Sequence, residues 1–211
     1  MKLNNDEIYL LDSGGQYNDG TTDITRSIHF SGKAPTAFQK EAYTRVLLGV
    51  LGLERVVWPK KASVSGSYLD LLARQHLWAG GLDYCHGTGH GVGSYLNVHE
   101  GPCSINSVNK TKLEEGMCVS DEPGYYHDGE FGIRIENVIM VQKHWKPELA
   151  DTHYYFENMT VAPYCRELID LTLLEPETKN FLDEFHQKCL RLLSPLLQDD
   201  ARALAYLTRQ C

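Results

Sequence analysis

Apolar and polar positions change period several times along the chain, and each change marks a predicted element. "IYLL" (8–11) and "ITRSIHF" (24–30) read as two short strands rich in Ile, Leu and Tyr, joined through "DSGGQYNDGTTD" (12–23), where Gly14, Gly15, Asn18, Asp19 and Gly20 supply turn chemistry. The result is a hairpin with an aspartate on each arm, Asp12 and Asp23. Two like charges on one face of paired strands repel unless a cation or a proton lies between them. "TAFQ" (36–39) has the form of a capping box, and from it to Glu54 the apolar residues Phe38, Ala42, Val46, Leu47 and Val50 recur at helical spacing. A second helix is predicted over "SYLDLLARQHLWAGG" (67–81), with Ser67 as cap, Asp70 three residues on, a stripe of Leu69, Leu72, Ala73 and Leu77, and a glycine pair to end it. His76 falls beside that stripe and reads as a packing or surface residue. "GIRIENVIMV" (132–141) alternates as a half-buried strand, and the final thirty residues, from Leu182, read as helices.

A chain of 211 residues that is 42% hydrophobic and 23% charged buries one sizeable core. Net charge of −8, with lysines and arginines scattered, gives phosphates no basic face and argues against nucleic acid and anionic membrane surfaces. The longest apolar runs, such as "VLLGVLGL" (46–53), are too short to span a bilayer, and "MKLNNDEIYLL" at the start lacks the apolar centre of a signal peptide. These features make the cytoplasm the expected compartment. Six cysteines at wide, irregular spacings without a C-x-x-C read as reduced thiols.

The chemistry-bearing residues fall in three stretches. "DYCHGTGHGVGSYLNVHEGP" (83–102) carries three histidines among glycines, a composition able to aim imidazoles at a site. In "MCVSDEPGYYHDGEFGIRIENVIMV" (117–141), Glu122 is pinned before Pro123-Gly124, and Glu136 sits among Ile133, Ile135 and Val138. A glutamate buried there without a partner costs several kcal/mol, so Glu136 needs one. With the hairpin acids, these residues make a coherent ligand set for two adjacent divalent ions: Asp12, Asp23, His90, Glu122 and Glu136. Two divalent cations neutralise four carboxylates, and mainly oxygen donors with one imidazole suit manganese, with zinc or cobalt as the other candidates.

"LLDSGGQYNDGTTDITRSIHF", "HGTGHGVGSYLNVHEGP" and "DEPGYYHDGEFGIRIEN", in that order, resemble the catalytic domain of the aminopeptidase P (Xaa-Pro aminopeptidase) family of pita-bread metallopeptidases. The likeness runs from about residue 7 to residue 142 with all five ligand positions filled, and "LDEFHQKCLRLLSPLLQDDARALAYLTRQC" is similar to the helical extension of the long, eukaryotic-type enzymes. It implies an α+β pita-bread fold, with the C-terminal portion of the catalytic domain over residues 1–160 and a helical extension over 161–211. It also implies hydrolysis of the Xaa-Pro bond at peptide N-termini by a hydroxide bridging two metal ions. By resemblance, Asp12 chelates one metal, Asp23 and Glu136 bridge both, and His90 with Glu122 completes the second. Glu122 shuttles the proton to the prolyl nitrogen, His99 and His86 contact substrate, and Arg134 orients the bridging acids. The implied partners are peptides with proline second and, for the full-length protein, a second copy in a homodimer. A prolidase acting on dipeptides and a non-catalytic pita-bread binding module are the alternatives; filled metal positions favour an enzyme. The family's domains upstream of the first aspartate, and a substrate histidine within them, have no counterpart before Asp12. The chain is therefore expected to be an N-terminally truncated piece whose activity alone is strongly reduced.

Overall fold

The computed structural model describes residues 3–30 and 32–211. Strands β1 (Ile8–Tyr17) and β2 (Gly20–His29) form an antiparallel hairpin, followed by helix α1 (Ala37–Glu54), β3 (Val57–Pro59) and helix α2 (Gly66–Trp78). Two short strands, β4 (Gly89–His90) and β5 (Ser104–Ile105), pair with each other. Next come β6 (Cys118–Asp121), the hairpin β7 (Gly124–His127) and β8 (Phe131–Arg134), β9 (Asn137–Lys143) and β10 (His153–Asn158). The chain closes with helices α3 (Pro176–Leu193) and α4 (Ala201–Gln210). The largest sheet has four strands in the order β3-β10-β9-β6, antiparallel throughout.

Helix α1 starts where the sequence predicts. Thr36 accepts from the backbone N–H of Gln39 while the Gln39 side chain accepts from the Thr36 N–H, which satisfies two of the helix's otherwise unpaired donors. Its buried stripe, Ala42, Tyr43, Val46, Leu47 and Val50, meets Tyr164, Leu168, Leu182 and Phe185 in one core, so the C-terminal helices pack on the same helix as the hairpin. A second core under the four-stranded sheet joins Trp58, Leu69, Ile105, Val119, Ile139 and Phe156.

Three details differ from the sequence reading. The first hairpin turns at Asn18-Asp19 alone, between Tyr17 and Gly20, so Gly14 and Gly15 are strand residues. Their role is close approach: a Cβ on Gly14 would lie 2.8 Å from the carbonyl oxygen of Thr22. Helix α2 starts earlier, with Ser65 at its cap position and Ser67 inside it. Asp70 does not serve that cap; its carboxylate takes hydrogen bonds from Arg74 and Thr88. The run around Glu136 is not one strand, since β8 ends at Arg134 and β9 begins at Asn137. That break frees Glu136 from the ladder, and its N–H donates instead to the carbonyl of Thr25 in β2, at 3.0 Å. The six cysteines are free thiols, as expected; Cys103, Cys165 and Cys189 are buried.

Candidate metal centre

The hairpin register decides where the aspartates stand. Asp12 lies opposite Thr25 and Asp23 opposite Gly14, so the two acids are diagonal neighbours on one face, with Thr25 between them on that face. Strand β1 leaves Asp12 half-open, its side chain 53% exposed, whereas Asp23 on the inner strand is buried. His90 arrives on β4, whose Gly89 passes so close to β6 that a Cβ there would lie 1.9 Å from the carbonyl oxygen of Ser120. The His90 N–H donates to the Ser120 hydroxyl (2.9 Å), and that hydroxyl donates to Glu122 Oε1 (3.0 Å), which ties the β4 and β6 residues together. The Glu122 N–H donates to the carbonyl of Thr88 (2.7 Å).

Asp12, Asp23, His90, Glu122 and Glu136 all line one cavity of about 310 Å³, together with His99, Gln16 and Thr22. Within it, one donor atom from each of Asp23, His90 and Glu136 lies within 4.8 Å of the other two. Atoms bound about 2.0–2.4 Å from one ion stand at most roughly 4.8 Å apart, so this triad fits a single cation. Asp12 and Glu122 stand at its margin. Asp12 Oδ2 accepts from Arg134 at 2.5 Å, and Glu122 Oε1 is 3.4 Å from His90 Nε2.

The imidazole is prepared for that role. His90 Nδ1 faces the carbonyl of Gly91 at 3.0 Å, an oxygen that only accepts, so the proton sits on Nδ1 and Nε2 is left toward Asp23, 3.3 Å away. Burial works against a charged His90, but its contact with Asp23 and the charge of Glu122 outweigh burial and raise its pKa. Glu136, 2% exposed, has its carboxyl pushed up to about 8 by burial, offset in part by the hydrogen bond from Thr25 and reinforced by the acids Glu122, Asp23 and Asp12. Burial also raises Glu122. A buried carboxyl such as Glu136, crowded by neighbouring acids, is the electrostatic complement of a divalent cation, and the oxygen-rich donor set with one imidazole fits such an ion.

His99 and His86 are placed differently. The segment after His90 folds back through hydrogen bonds Gly93 N–H to Asn97 O (3.0 Å) and Glu100 N–H to Gly91 O (2.8 Å). The exposed His99 ring is thereby set against the His90 ring, centroids 4.1 Å apart. His86 is not among the cavity's lining residues. Its Nδ1–H donates to the carbonyl of Gly87 (2.7 Å), leaving Nε2 to accept from the Tyr126 hydroxyl (2.8 Å). Tyr126 in turn accepts from Arg134 (3.1 Å), and the same guanidinium reaches Asp12. His86 is thus joined to the cavity through Tyr126 and Arg134.

The sequence reading missed Thr25, Ser120, Tyr126 and Arg26. Thr25 and Ser120 each stand two residues from an acid already singled out, Asp23 and Glu122, and a period-two reading of those strands places them on the acids' face. Arg26, on the opposite face of β2, donates to the carbonyls of Glu136 (2.6 Å), Thr25 (2.9 Å), Ala162 (2.8 Å) and Pro163 (3.2 Å) and to Asn137 Oδ1 (2.7 Å). It holds the Glu136 backbone in place from behind.

The profile of metallopeptidase family M24 matches residues 1–143, and that of the C-terminal region of the M24 peptidases matches residues 152–211. A curated protein of Pyrenophora tritici-repentis named "Probable Xaa-Pro aminopeptidase P" is 51% identical over 208 residues, 96% of this chain and 34% of its own. Aminopeptidase P1 of Lotus japonicus is 52% identical over 95% of this chain and 30% of its own. Among solved structures, X-prolyl aminopeptidase of Caenorhabditis elegans, described as a cytosolic enzyme with a di-nuclear active site, superposes with a TM-score of 0.87 at 37% identity, covering 97% of this chain and 33% of that one. The prolidase of Pyrococcus furiosus superposes with a TM-score of 0.61 at 29% identity over 74% of this chain and 41% of its own. The chain spans about a third of the length of the curated relatives it matches.

Proposed function

The chain belongs to metallopeptidase family M24, and from that premise we propose that it supplies the metal centre of an Xaa-Pro aminopeptidase acting on peptides with proline in second position. Its α+β fold is the pita-bread fold of that family. The observation that carries the reading is the single cavity lined by Asp12, Asp23, His90, Glu122 and Glu136, with Glu136 buried among like charges. These five would hold two divalent ions, manganese being favoured by the oxygen-rich donors. Bound there, the ions neutralise the carboxylates and supply Lewis acidity toward the scissile carbonyl and the attacking water.

The chain's own residues then have distinct tasks. Glu122, raised by burial, takes a proton from the water and delivers it to the prolyl nitrogen. His99, exposed on the cavity wall, donates to the peptide near the scissile bond. Arg134 holds Asp12, and His86 sets Arg134 and the substrate-facing wall through Tyr126. The prolyl leaving group has no N–H and a rigid ring, which hinders proteases that grip an extended backbone across the scissile bond and favours a dedicated enzyme.

The division into residues 1–160 and 161–211, a cytoplasmic location and a homodimeric full-length protein belong to the same proposal. The location is supported by the cytosolic description of the Caenorhabditis elegans neighbour, and the division by the two family profiles, which match residues 1–143 and 152–211. Aminopeptidase P is preferred to prolidase because its likeness extends over the C-terminal helices as well. Metal analysis combined with hydrolysis of an Xaa-Pro-containing tripeptide and of an Xaa-Pro dipeptide, on this chain and on a full-length parent, tests the reading. Expected are about two divalent ions per chain and tripeptide cleavage by the parent. A chain that binds no divalent metal, or a parent that cleaves only the dipeptide, overturns it.

A further inference from the structure

A second cavity, of about 510 Å³, shares no lining residue with the metal centre. It opens between the end of α1, the strand β10 and the helix α3, and its walls are aromatic: Phe156 and Tyr155 from the sheet, Phe181 and Phe185 from the helix, and Trp145 at the mouth. Trp145 is 60% exposed yet fixed in orientation, stacked on His144 with centroids 3.9 Å apart and edge-on to Tyr155 at 5.0 Å. Such volume and lining are those of small-molecule sites.

The floor carries a single acid. Glu54 is 5% exposed, and its Oε1 accepts from the amides of Asn137 (2.6 Å) and Asn158 (2.7 Å), which fix the carboxylate. Among the described residues no hydrogen bond reaches its Oε2, and Glu54 lines the cavity. Burial pushes this carboxyl up to about 7 in spite of the two amide donors. Two cations line the cavity: Lys188 donates to the carbonyl of Asn158 (2.7 Å) and its charge, with that of Arg26, works against the rise of the Glu54 carboxyl, while Arg55 donates to Thr178 (3.1 Å) and Glu177 (3.3 Å) and lies over the Phe181 ring. Two further acids, Glu157 and Glu184, line the cavity and form no ion pair with a described residue. The site therefore combines a preorganised carboxyl acceptor, three acids against two lining cations, and aromatic faces that attract positive charge.

We propose that this groove is a binding site for a small amphiphilic amine, one ammonium group carried on an aromatic body. The ammonium donates to Glu54 Oε2, and the ring packs against Phe156, Phe181 and Trp145. An anion of the same shape meets three acids against two lining cations, and a neutral one makes no charged contact with Glu54 Oε2.

The probes are phenethylamine, 2-phenylethanol and 3-phenylpropionate, titrated into the 211-residue chain by calorimetry, with the Trp145 indole N–H followed by NMR to locate binding. Phenethylamine is expected to bind saturably and at least about tenfold tighter than the alcohol, with the propionate weaker still. Glu54→Gln keeps an oxygen for Asn137 and Asn158 and should abolish the preference for the amine over the alcohol. Trp145→Ala, at the surface, should weaken amine and alcohol alike. The proposal is overturned if the three probes bind equally, if none binds saturably, if the Trp145 signal does not move, or if a folded Glu54→Gln chain keeps its preference. Should Glu54→Gln not fold, the three-probe comparison on the unaltered chain and the Trp145→Ala result decide it.

Discussion

Replacing Thr25 by valine isolates one hydroxyl from the metal centre, because the two side chains have nearly the same shape. In the structure that hydroxyl is fully buried, donates to Glu136 Oε2 at 2.6 Å and accepts from Arg134 Nε at 3.2 Å. Deleting it strands one oxygen of a carboxyl that is itself 2% exposed, at a cost of about 1–3 kcal/mol. The Arg134 contact adds under about 0.5 kcal/mol, since the guanidinium keeps Asp12 and Tyr126. The added methyl group returns up to about 0.8 kcal/mol. The metal-free chain should therefore lose about 0.2–3.5 kcal/mol in urea unfolding.

Metal binding supplies the sharper readout. Thr25 fixes the orientation of Glu136 in the triad with Asp23 and His90, and losing such an orienting partner typically lowers metal affinity about 10- to 100-fold. Calorimetric titration with manganese should show that loss in Thr25→Val and near-normal affinity in Thr25→Ser, which keeps the hydroxyl. A folded Thr25→Val chain that binds manganese within about twofold of the unaltered protein refutes the argument that Thr25 positions Glu136.

Three further outcomes are expected. His99→Ala in an active full-length parent should retain metal while slowing peptide turnover by roughly ten- to ten-thousandfold; loss of metal would make it a ligand instead. Gly89→Ala should fail to fold stably or lose more than about 3 kcal/mol, because its Cβ would meet the Ser120 carbonyl at 1.9 Å; an unfolding midpoint near that of the unaltered chain would mean that β4 and β6 are not so close. His186, whose pKa burial lowers to about 4, is neutral in the folded chain and charges more readily when unfolded, so its contribution is complete above the ordinary value of 6.5 and is lost as pH falls through about 4. Stability should drop by about 3 kcal/mol over that window, and denaturant titrations of His186→Gln should show a shallower acid limb; parallel limbs would contradict the assignment.

What the sequence displays and what it hides divide along contact distance. Helix α1 is legible to the residue because its capping box, Thr36 with Gln39, is a local device whose two hydrogen bonds span three positions. The acids and histidines of the centre are legible because carboxylates and imidazoles in glycine-rich, strand-like surroundings announce their chemistry by type. The register of the hairpin is not, since glycines at a turn and glycines at a close approach look alike; only the ladder shows that Gly14 sits opposite Asp23 and leaves room for the Thr22 carbonyl. The break before Asn137 is hidden for the same reason: "GIRIENVIMV" alternates well enough for one strand, and it is Thr25, 111 positions away from Glu136, that takes up the Glu136 N–H and carboxyl.

Arg26 carries this furthest. Nothing in "DITRSIHF" distinguishes it from a solvated surface arginine, and its position beside exposed-looking Thr and Ser residues argues for one. Its five acceptors come from its own neighbour Thr25, from the Glu136–Asn137 break and from the segment leading to the C-terminal helices, and its guanidinium lies over the Tyr164 ring at 4.8 Å. The Glu136 carbonyl and the Asn137 amide oxygen are buried and would lose this donor without it, while the Thr25 carbonyl would keep only the Glu136 N–H. The hairpin, the strand break that carries Glu136 and the start of the C-terminal region therefore share one guanidinium, so the ligand geometry depends on contacts more than a hundred residues apart that no local pattern encodes.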